Sequence, residues 1–212
     1  MKNNHSLSLT FLIFLLFSQL TTPVTPVAYG ENVSKIIDWS KKKNWTTSSV
    51  ARDFAVSFDK KKIFILEQDN KVRIYANSYN GNRLGIINVA PTTVAFDIAP
   101  RGGMLYLVGS DRSYTAMKIT YRKENDTVTN KSIVQTWKTR TRPLDIAQSF
   151  DKKYAFILES DNKVHVYTIN GIQKKVLPVP FGTIAITVPS RKRTLSLITR
   201  NRIYKSIRIP LR

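Results

Sequence analysis

The chain has 212 residues, of which 42% are hydrophobic, enough to bury one core of ordinary size. Its 34 lysines and arginines exceed its 14 aspartates and glutamates, giving a formal net charge of +20. Such a surplus favours an acidic partner, although solubility alone is the alternative explanation. The absence of cysteine excludes disulfides, thiolate nucleophiles and cysteine zinc sites.

The N-terminal residues have the pattern of a secretory signal. Lys2 supplies a positive charge, residues 7–20 form an apolar run shorter than a membrane span, and Ala28-Tyr29-Gly30 is a small-x-small cleavage site. We therefore expect residues 1–30 to be removed and residues 31–212 to form a single domain. The alternative is an uncleaved N-terminal anchor. With no cysteine, the pattern favours a bacterial protein exported to the periplasm or the exterior.

A long internal repeat dominates the rest of the chain. Residues 53–75 return almost unchanged as residues 145–167, so that Phe58-Asp59-Lys60-Lys61 is matched by Phe150-Asp151-Lys152-Lys153. Equivalent positions are always 92 residues apart, including Trp45 and Trp137. A fixed period of this kind indicates stacked, equivalent structural units.

Alternation of apolar and polar residues divides the first copy into strands. We expect strands at residues 54–58, 63–66, 72–75 and 84–89, separated by polar turns at residues 59–62, 69–71 and 80–81. A four-stranded antiparallel unit of about 40 to 45 residues is typical of a β-propeller blade. Weaker copies fill the gaps, so the 92-residue period corresponds to two blades.

The predicted fold is all-β, with four blades per chain at about residues 50–90, 91–138, 142–180 and 181–212. The fourth unit contains only three strands. We expect residues 33–39 to supply its outer strand, which would remove an open sheet edge. The alternative is that these residues form a tail.

Several side chains are assigned by the repeat. We expect six to lie in the core because both copies keep them aromatic or aliphatic: Phe58, Phe64, Leu66, Phe150, Phe156 and Leu158. Glu67 and Glu159 are predicted to be exposed partners of Lys71 and Lys163, and His165 to be a surface position. Trp39, Trp45 and Trp137 are predicted to pack within or between blades.

The repeat resembles a known family. Ala55-Val56-Ser57-Phe58-Asp59-Lys60-Lys61, a Phe-Ile-Leu strand, and Asp69-Asn70-Lys71-Val72-Arg73-Ile74-Tyr75 are similar to the YVTN repeat of β-propellers, which is related to NHL repeats. The chain departs in having Phe before Asp59 and Asp151 where the family usually has Ser-Pro. It also has four units where most relatives carry about six to eight blades. Either four units close a small ring, or a homodimer completes a larger one.

Three carboxylates are candidates for a channel site. Asp53 and Asp145 begin the first strands of units one and three, and Asp97 lies within the first strand of unit two. Innermost strands line the channel of a propeller, where converging carboxylates could bind Ca²⁺. The resemblance to propeller lactonases, which use a metal in the channel, supports such a Ca²⁺ site. The alternative is that each Asp only accepts hydrogen bonds from backbone N–H groups at the end of its strand. The sequence predicts no catalytic residue and no other cofactor.

Positive charge is concentrated in particular turns. Turns between first and second strands, and between third and fourth strands, emerge on one face, and we predict that this basic face binds the partner through Lys60, Lys61, Lys62, Arg101, Lys152, Lys153, Lys174, Lys175, Arg191, Lys192 and Arg193. Ordinary solvated turns are the alternative. The predicted function is thus an exported, non-catalytic binding or assembly module for an acidic protein or anionic envelope component, with nucleic acid also open. The alternative is a metal-dependent hydrolase or lactonase.

Overall fold

A computed structural model describes residues 47–78, 81–99, 103–122, 124, 127–188 and 194–209. Regular structure in these ranges is entirely β-strand, which confirms the all-β prediction. The strands are β1 (Ala51–Val56), β2 (Lys62–Glu67), β3 (Lys71–Ala76), β4 (Arg83–Asn88), β5 (Thr93–Ile98), β6 (Met104–Gly109), β7 (Ser113–Tyr121), β8 (Val128–Lys138), β9 (Pro143–Gln148), β10 (Tyr154–Glu159), β11 (Lys163–Thr168), β12 (Gln173–Pro178), β13 (Thr183–Thr187), β14 (Thr194–Thr199) and β15 (Tyr204–Arg208).

These strands form four antiparallel sheets, each made of consecutive strands. Three sheets have four strands, in the orders β1-β2-β3-β4, β5-β6-β7-β8 and β9-β10-β11-β12, and the fourth has the order β13-β14-β15. Each sheet is one blade of a four-bladed β-propeller. Within the described residues the fourth blade has three strands, as predicted, and the segment 33–39 expected to complete it lies outside those residues, as do the predicted signal at 1–30, Trp39 and Trp45.

The described part of the chain contains no helix that is long and apolar enough to cross a bilayer.

Short turns set the register of each blade. Asn70 and Asn162 adopt left-handed backbone conformations with φ of 60° and 59° in the β2–β3 and β10–β11 hairpins. Asparagine tolerates this conformation better than most residues, which explains the Asp-Asn-Lys sequence at both places. The hairpins then pair Glu67 with Lys71 and Glu159 with Lys163 across the turn as backbone neighbours.

Hydrophobic side chains on the sheet faces pack between consecutive blades. Phe64 and Leu66 of blade one face Phe96 and Leu107 of blade two. A second cluster joins blades two and three, and a third joins blades three and four. Phe64, Leu66, Phe156 and Leu158 are at most 1% exposed, which confirms the core prediction for these four residues.

The two end faces of the blade series are less covered than the interior faces. Phe54 of blade one is 43% exposed, whereas Ile146, its equivalent in blade three, is 3% exposed. Tyr204 of blade four is 68% exposed, whereas Tyr114 at the equivalent register position of blade two is fully buried. A homodimer that completes a larger ring through these faces stays a prediction, and the solution mass of the protein would test it.

The core prediction is wrong for Phe58 and Phe150, which are 49% and 38% exposed. β1 ends at Val56 and β9 at Gln148, so both phenylalanines fall in the following turns. The turns are fixed by Ser57 and Ser149. Each serine hydroxyl donates to the aspartate two residues on, at 2.6 and 2.7 Å, and accepts a backbone N–H five residues on.

The surface predictions for Glu67, Glu159 and His165 are also wrong, because all three are at most 1% exposed. The three side chains lie against other parts of the protein and not in solvent. Each has a polar partner, as buried polar groups usually do: Arg73 for Glu67, Tyr167 for Glu159 and Asp161 for His165. Glu67 pairs with Arg73 instead of Lys71, and the lysines pair with Asp69 and Asp161.

Trp137 packs between blades two and three, as predicted. Its ring stacks on Tyr114 at 4.2 Å between centroids and lies 4.7 Å from Tyr167, and its Nε1 donates to the Ile169 carbonyl at 3.1 Å. Gly171 approaches the same ring so closely that a Cβ would lie 2.7 Å from Trp137 Cγ, and its φ of 83° also favours glycine.

Candidate functional site

The three predicted channel aspartates join consecutive blades. Asp53 accepts the N–H of Phe54 in its own strand at 2.8 Å and that of Phe96 in blade two at 2.9 Å. Asp97 repeats the arrangement with Ile98 and with Gln148 of blade three, at 2.7 and 2.6 Å. Each carboxylate therefore bridges the inner strands of two neighbouring blades.

Asp145 extends the series to the last blade. It accepts the N–H of Ile146 at 2.8 Å and that of Ile186 at 2.7 Å. The inner strand of a blade is a sheet edge, and edge N–H groups need partners when water is restricted. The carboxylates supply these partners along the channel. Each aspartate therefore caps backbone N–H groups, as the alternative interpretation of the sequence stated. The sequence did not indicate that one of the two N–H groups belongs to the next blade.

Blade four lacks such a carboxylate at the corresponding positions. Ala185 occupies the register position of Asp53 and Asp145, and Thr187 occupies that of Asp97. The series of bridges consequently runs in one direction, from blade one to blade four.

Burial raises the pKa values of all three aspartates. It raises the pKa of Asp53 to about 7 and that of Asp97 to about 6, against the lowering effect of their backbone N–H donors. Burial, followed by repulsion from the Asp53 carboxylate, also raises the pKa of Asp145 well above its ordinary value. The carboxylates of Asp53 and Asp145 therefore repel each other across the channel, and ionising both destabilises the folded protein.

The three channel aspartates are also the predicted ligands of a Ca²⁺ ion. Within the described ranges, no three His, Cys, Asp or Glu side chains come together as metal ligands. Each carboxylate already accepts two backbone hydrogen bonds, whereas Ca²⁺ requires six to eight oxygen ligands, by the usual rough count. The Ca²⁺ site at Asp53, Asp97 and Asp145 stays a prediction, which metal analysis of the purified protein would test.

The strand order divides the turns between two faces. On the first face, the β1–β2 and β3–β4 turns of blade one are joined because Asn77 donates through its side chain to the Lys60 carbonyl and through its backbone to the Lys61 carbonyl, both at 2.7 Å. In blade three, the Ile169 N–H donates to the Lys153 carbonyl at 3.1 Å in the same manner. We call this side the basic face and the opposite side, which carries the β2–β3, β6–β7, β10–β11 and β14–β15 turns, the hairpin face.

Cations on the basic face are well exposed where the structure describes them. The exposed set consists of Lys60, Lys61, Arg83, Arg122, Lys131, Lys152, Lys153, Lys174 and Lys175. Lys60 and Lys152 hold left-handed conformations with φ of 59° and 61° at the tips of equivalent turns. Arg101, Arg191, Lys192 and Arg193, which the sequence also placed here, lie outside the described residues.

Lys62 does not belong to the exposed set, although the sequence placed it there. It is 7% exposed, and its Nζ lies 4.9 Å from the centre of the Tyr121 ring. Lys62 is the first residue of β2, so its side chain points to one face of the sheet and not outward from the turn. The ring provides the ammonium group with a cation–π contact.

Acidic residues are used differently on the two faces. On the basic face, Asp59 and Asp151 accept the serine hydroxyl and a lysine backbone N–H within their own turns. The ion pairs of lysine and arginine between described residues lie on the hairpin face or in the strands next to it: Lys71–Asp69, Arg73–Glu67, Arg73–Asp69, Lys138–Asp111 and Lys163–Asp161.

Comparison with known proteins supports the fold. The propeller domain of Cps50 (Swd1) from Myceliophteria thermophila matches with a TM-score of 0.58 and 10% sequence identity over 78% of this chain. The match spans 57% of that propeller domain, so the present chain corresponds to little more than half of it. No family model matches the chain, and no curated protein matches it.

Proposed function

We propose that the chain is a non-catalytic binding module whose basic face takes an acidic macromolecular partner. The observation that supports this most strongly is the unequal use of charge on the two faces. On the hairpin face, hydrogen bonds from Arg73 and then Lys71 lower the pKa of Asp69, and those from Ser113 and Lys138 lower that of Asp111. Asp69 and Asp111 are thus matched by nearby cations, whereas Asp59 and Asp151 of the basic face accept hydrogen bonds within their own turns and are outnumbered by the exposed lysines and arginines around them.

The spacing of the lysines also suits a partner with several negative charges. Two equivalent turns meet at the channel, because Phe58 of one turn contacts Phe150 of the other. These turns carry four lysines: Lys60, Lys61, Lys152 and Lys153. Clustered cations raise the local concentration of an acidic partner and accelerate its association.

Charge reversal on the two faces tests this proposal. We expect the double variant Lys61→Glu/Lys153→Glu to bind polyglutamate at least about tenfold more weakly than the wild type, with steep salt dependence. The matched control is Arg142→Glu/Arg200→Glu, which makes the same change in net charge at exposed turns of the hairpin face. Fluorescence anisotropy at several salt concentrations would measure both. Equal losses would show that only the overall charge matters.

We further propose that the protein is exported, with residues 1–30 as its signal, and acts in the periplasm or outside the cell. The support is the positively charged start, the short apolar run and the small-x-small site. The repeat at residues 53–75 and 145–167 supports membership of the YVTN or NHL-like propellers. Fusing residues 1–30 to a reporter enzyme and determining the N-terminus of the exported product would test the signal, and a retained N-terminus would favour an anchor.

A further inference from the structure

Two exposed aromatic side chains meet at the centre of the basic face. Phe58 and Phe150 come from equivalent turns of blades one and three, and their rings contact edge to face with centroids 5.6 Å apart and planes inclined by 66°. They remain 49% and 38% exposed despite this contact. Partly exposed aromatic side chains at the middle of a charged surface are typical anchors of a protein interface.

A cavity of about 190 Å³ lies beside this pair at the mouth of the channel. Its apolar wall includes Val56, Ile98, Ala99 and Val188, and Asp97 and Thr187 contribute polar groups. Pockets for drug-sized ligands are usually about 300 to 1,000 Å³, so this cavity has the size of one or two inserted side chains.

Charge surrounds the aromatic pair on both sides. Lys60 and Lys61 follow Phe58 within one turn, and Lys152 and Lys153 follow Phe150 within the equivalent turn. Asp59 and Asp151 point into their own turns and accept hydrogen bonds from Ser57 and Ser149, so the two turns carry two acids against four lysines. The surface therefore combines an apolar centre with flanking positive charge.

From this arrangement we infer that the basic face binds an acidic peptide segment of a protein partner, anchored by one apolar side chain at Phe58 and Phe150. The inference rests on the proposed function and specifies its partner. The anchor packs on the exposed rings and enters the cavity, while carboxylates on either side of it in the peptide contact the lysine pairs. Burial of the anchor provides affinity, and the lysines select the acidic sequence around it.

A protein segment suits this surface better than a lipid bilayer or a nucleic acid. The cavity is concave and has the size of a side chain, whereas the surface of a bilayer offers no projecting side chain to fill it. The two rings pack against each other, so they do not form the row of separate platforms on which successive bases of a single strand stack. A single side chain fits both features.

Two labelled peptides test the inference directly. One is an oligoglutamate with a central phenylalanine, and the other carries alanine at that position. We expect the wild-type protein to bind the phenylalanine peptide about tenfold more tightly, the effect of partly burying one aromatic side chain. The variant Phe58→Ser/Phe150→Ser should lose this preference and bind both peptides equally. Phe181→Ser is the matched control, because Phe181 is 92% exposed on the hairpin face and its removal should leave the preference unchanged.

The outcomes separate this inference from the proposed function. Equal binding of both peptides to the wild type would overturn the anchor while leaving the basic face as a binding surface. Binding of neither peptide would overturn both. If vesicles containing an anionic phospholipid bind in a manner that requires Phe58 and Phe150, while the peptides are not distinguished, the aromatic pair contacts a membrane and the inference is wrong.

Discussion

Blades one and three have nearly the same sequence over the repeat and the same hydrophobic core, yet they stabilise a buried glutamate in different ways. In blade one, Glu67 Oε2 accepts from Arg73 at 2.6 Å, and Arg73 also binds Asp69 through two bonds. Both Glu67 and Arg73 are nearly inaccessible to solvent.

In blade three, the equivalent Glu159 relies on neutral groups. Tyr167 donates its hydroxyl to Glu159 Oε1 at 2.6 Å, and the Thr141 hydroxyl donates to Oε2 at 2.8 Å. His165 occupies the position of Arg73 but does not contact the glutamate. Its Nε2 lies 3.0 Å from Asp161 Oδ2, and its Nδ1 lies 3.3 Å from Gln173 Oε1. The comparison shows that a repeat can retain its apolar positions and its buried acid while exchanging the groups that neutralise or solvate that acid.

The largest expected effect concerns what the two blades share. Phe64→Ala and Phe156→Ala should each lower the free energy of unfolding by about 3 to 5 kcal/mol, because each removes a fully buried ring from an interface between blades. Phe58→Ala and Phe150→Ala should cost about 1 kcal/mol or less, since these rings are about half exposed. Urea unfolding would measure all four changes. Similar costs at the turn and core positions would contradict the assigned strand ends.

A smaller effect should separate the two blades. Arg73→Leu should destabilise the protein by about 3 kcal/mol, because it leaves the buried Glu67 without its cationic partner. Burial already raises the pKa of Glu67, against the lowering effect of Arg73, and the variant should therefore take up a proton at this site. His165→Leu should cost about 1 kcal/mol, because Glu159 keeps its own donors. Equal costs would show that the blades do not differ energetically.

A third expected effect lies in the channel and depends on pH. The pKa of Asp53 is raised to about 7 in the folded protein, so the folded state binds more protons than the unfolded state between about pH 4 and pH 7. The stability that this group contributes is therefore highest at the acidic end and falls as the pH rises through that window. Asp53→Asn should flatten this part of the profile and relieve repulsion on Asp145.

Urea melts of wild type and Asp53→Asn at several pH values would measure the difference. Using the difference cancels the contributions of the other titrating groups. A parallel pair of profiles would mean that Asp53 stays ionised at low cost, and the raised pKa would then be wrong.

The sequence predicted the blades well because their strands depend on local signals. Alternating apolar residues and the Asp-Asn hairpins marked strand positions within a few residues, and the 92-residue offset made equivalent positions certain. The end of β1 was placed too late, because Phe58 continues the apolar run in composition while Ser57 and Asp59 turn the backbone. The repeated Ser-Phe-Asp-Lys sequence was the signal that could have revealed this turn.

The polar interior was less predictable because it depends on contacts distant in sequence. Glu159 is solvated by Thr141 and Tyr167, and Asp97 accepts the N–H of Gln148 from a different blade. The sequence analysis paired each glutamate with the nearest lysine. It did not foresee that the segment before the first strand of the blade, which contains Thr141 in blade three, covers the glutamate. Similarly, the channel aspartates were found by their position, but no local pattern indicates which strand supplies the second donor.

The aspartate bridges also bear on how such a chain can lengthen during evolution. The first two-blade unit carries an acceptor carboxylate toward the following unit, as Asp97 does for Gln148, whereas the second unit ends in blade four without one. Tandem duplication of the segment that encodes blades one and two would therefore create a junction at which Asp97 again faces an inner-strand N–H group. Growth by copies of blades three and four would instead need a substitution that restores a carboxylate at the position of Ala185 or Thr187.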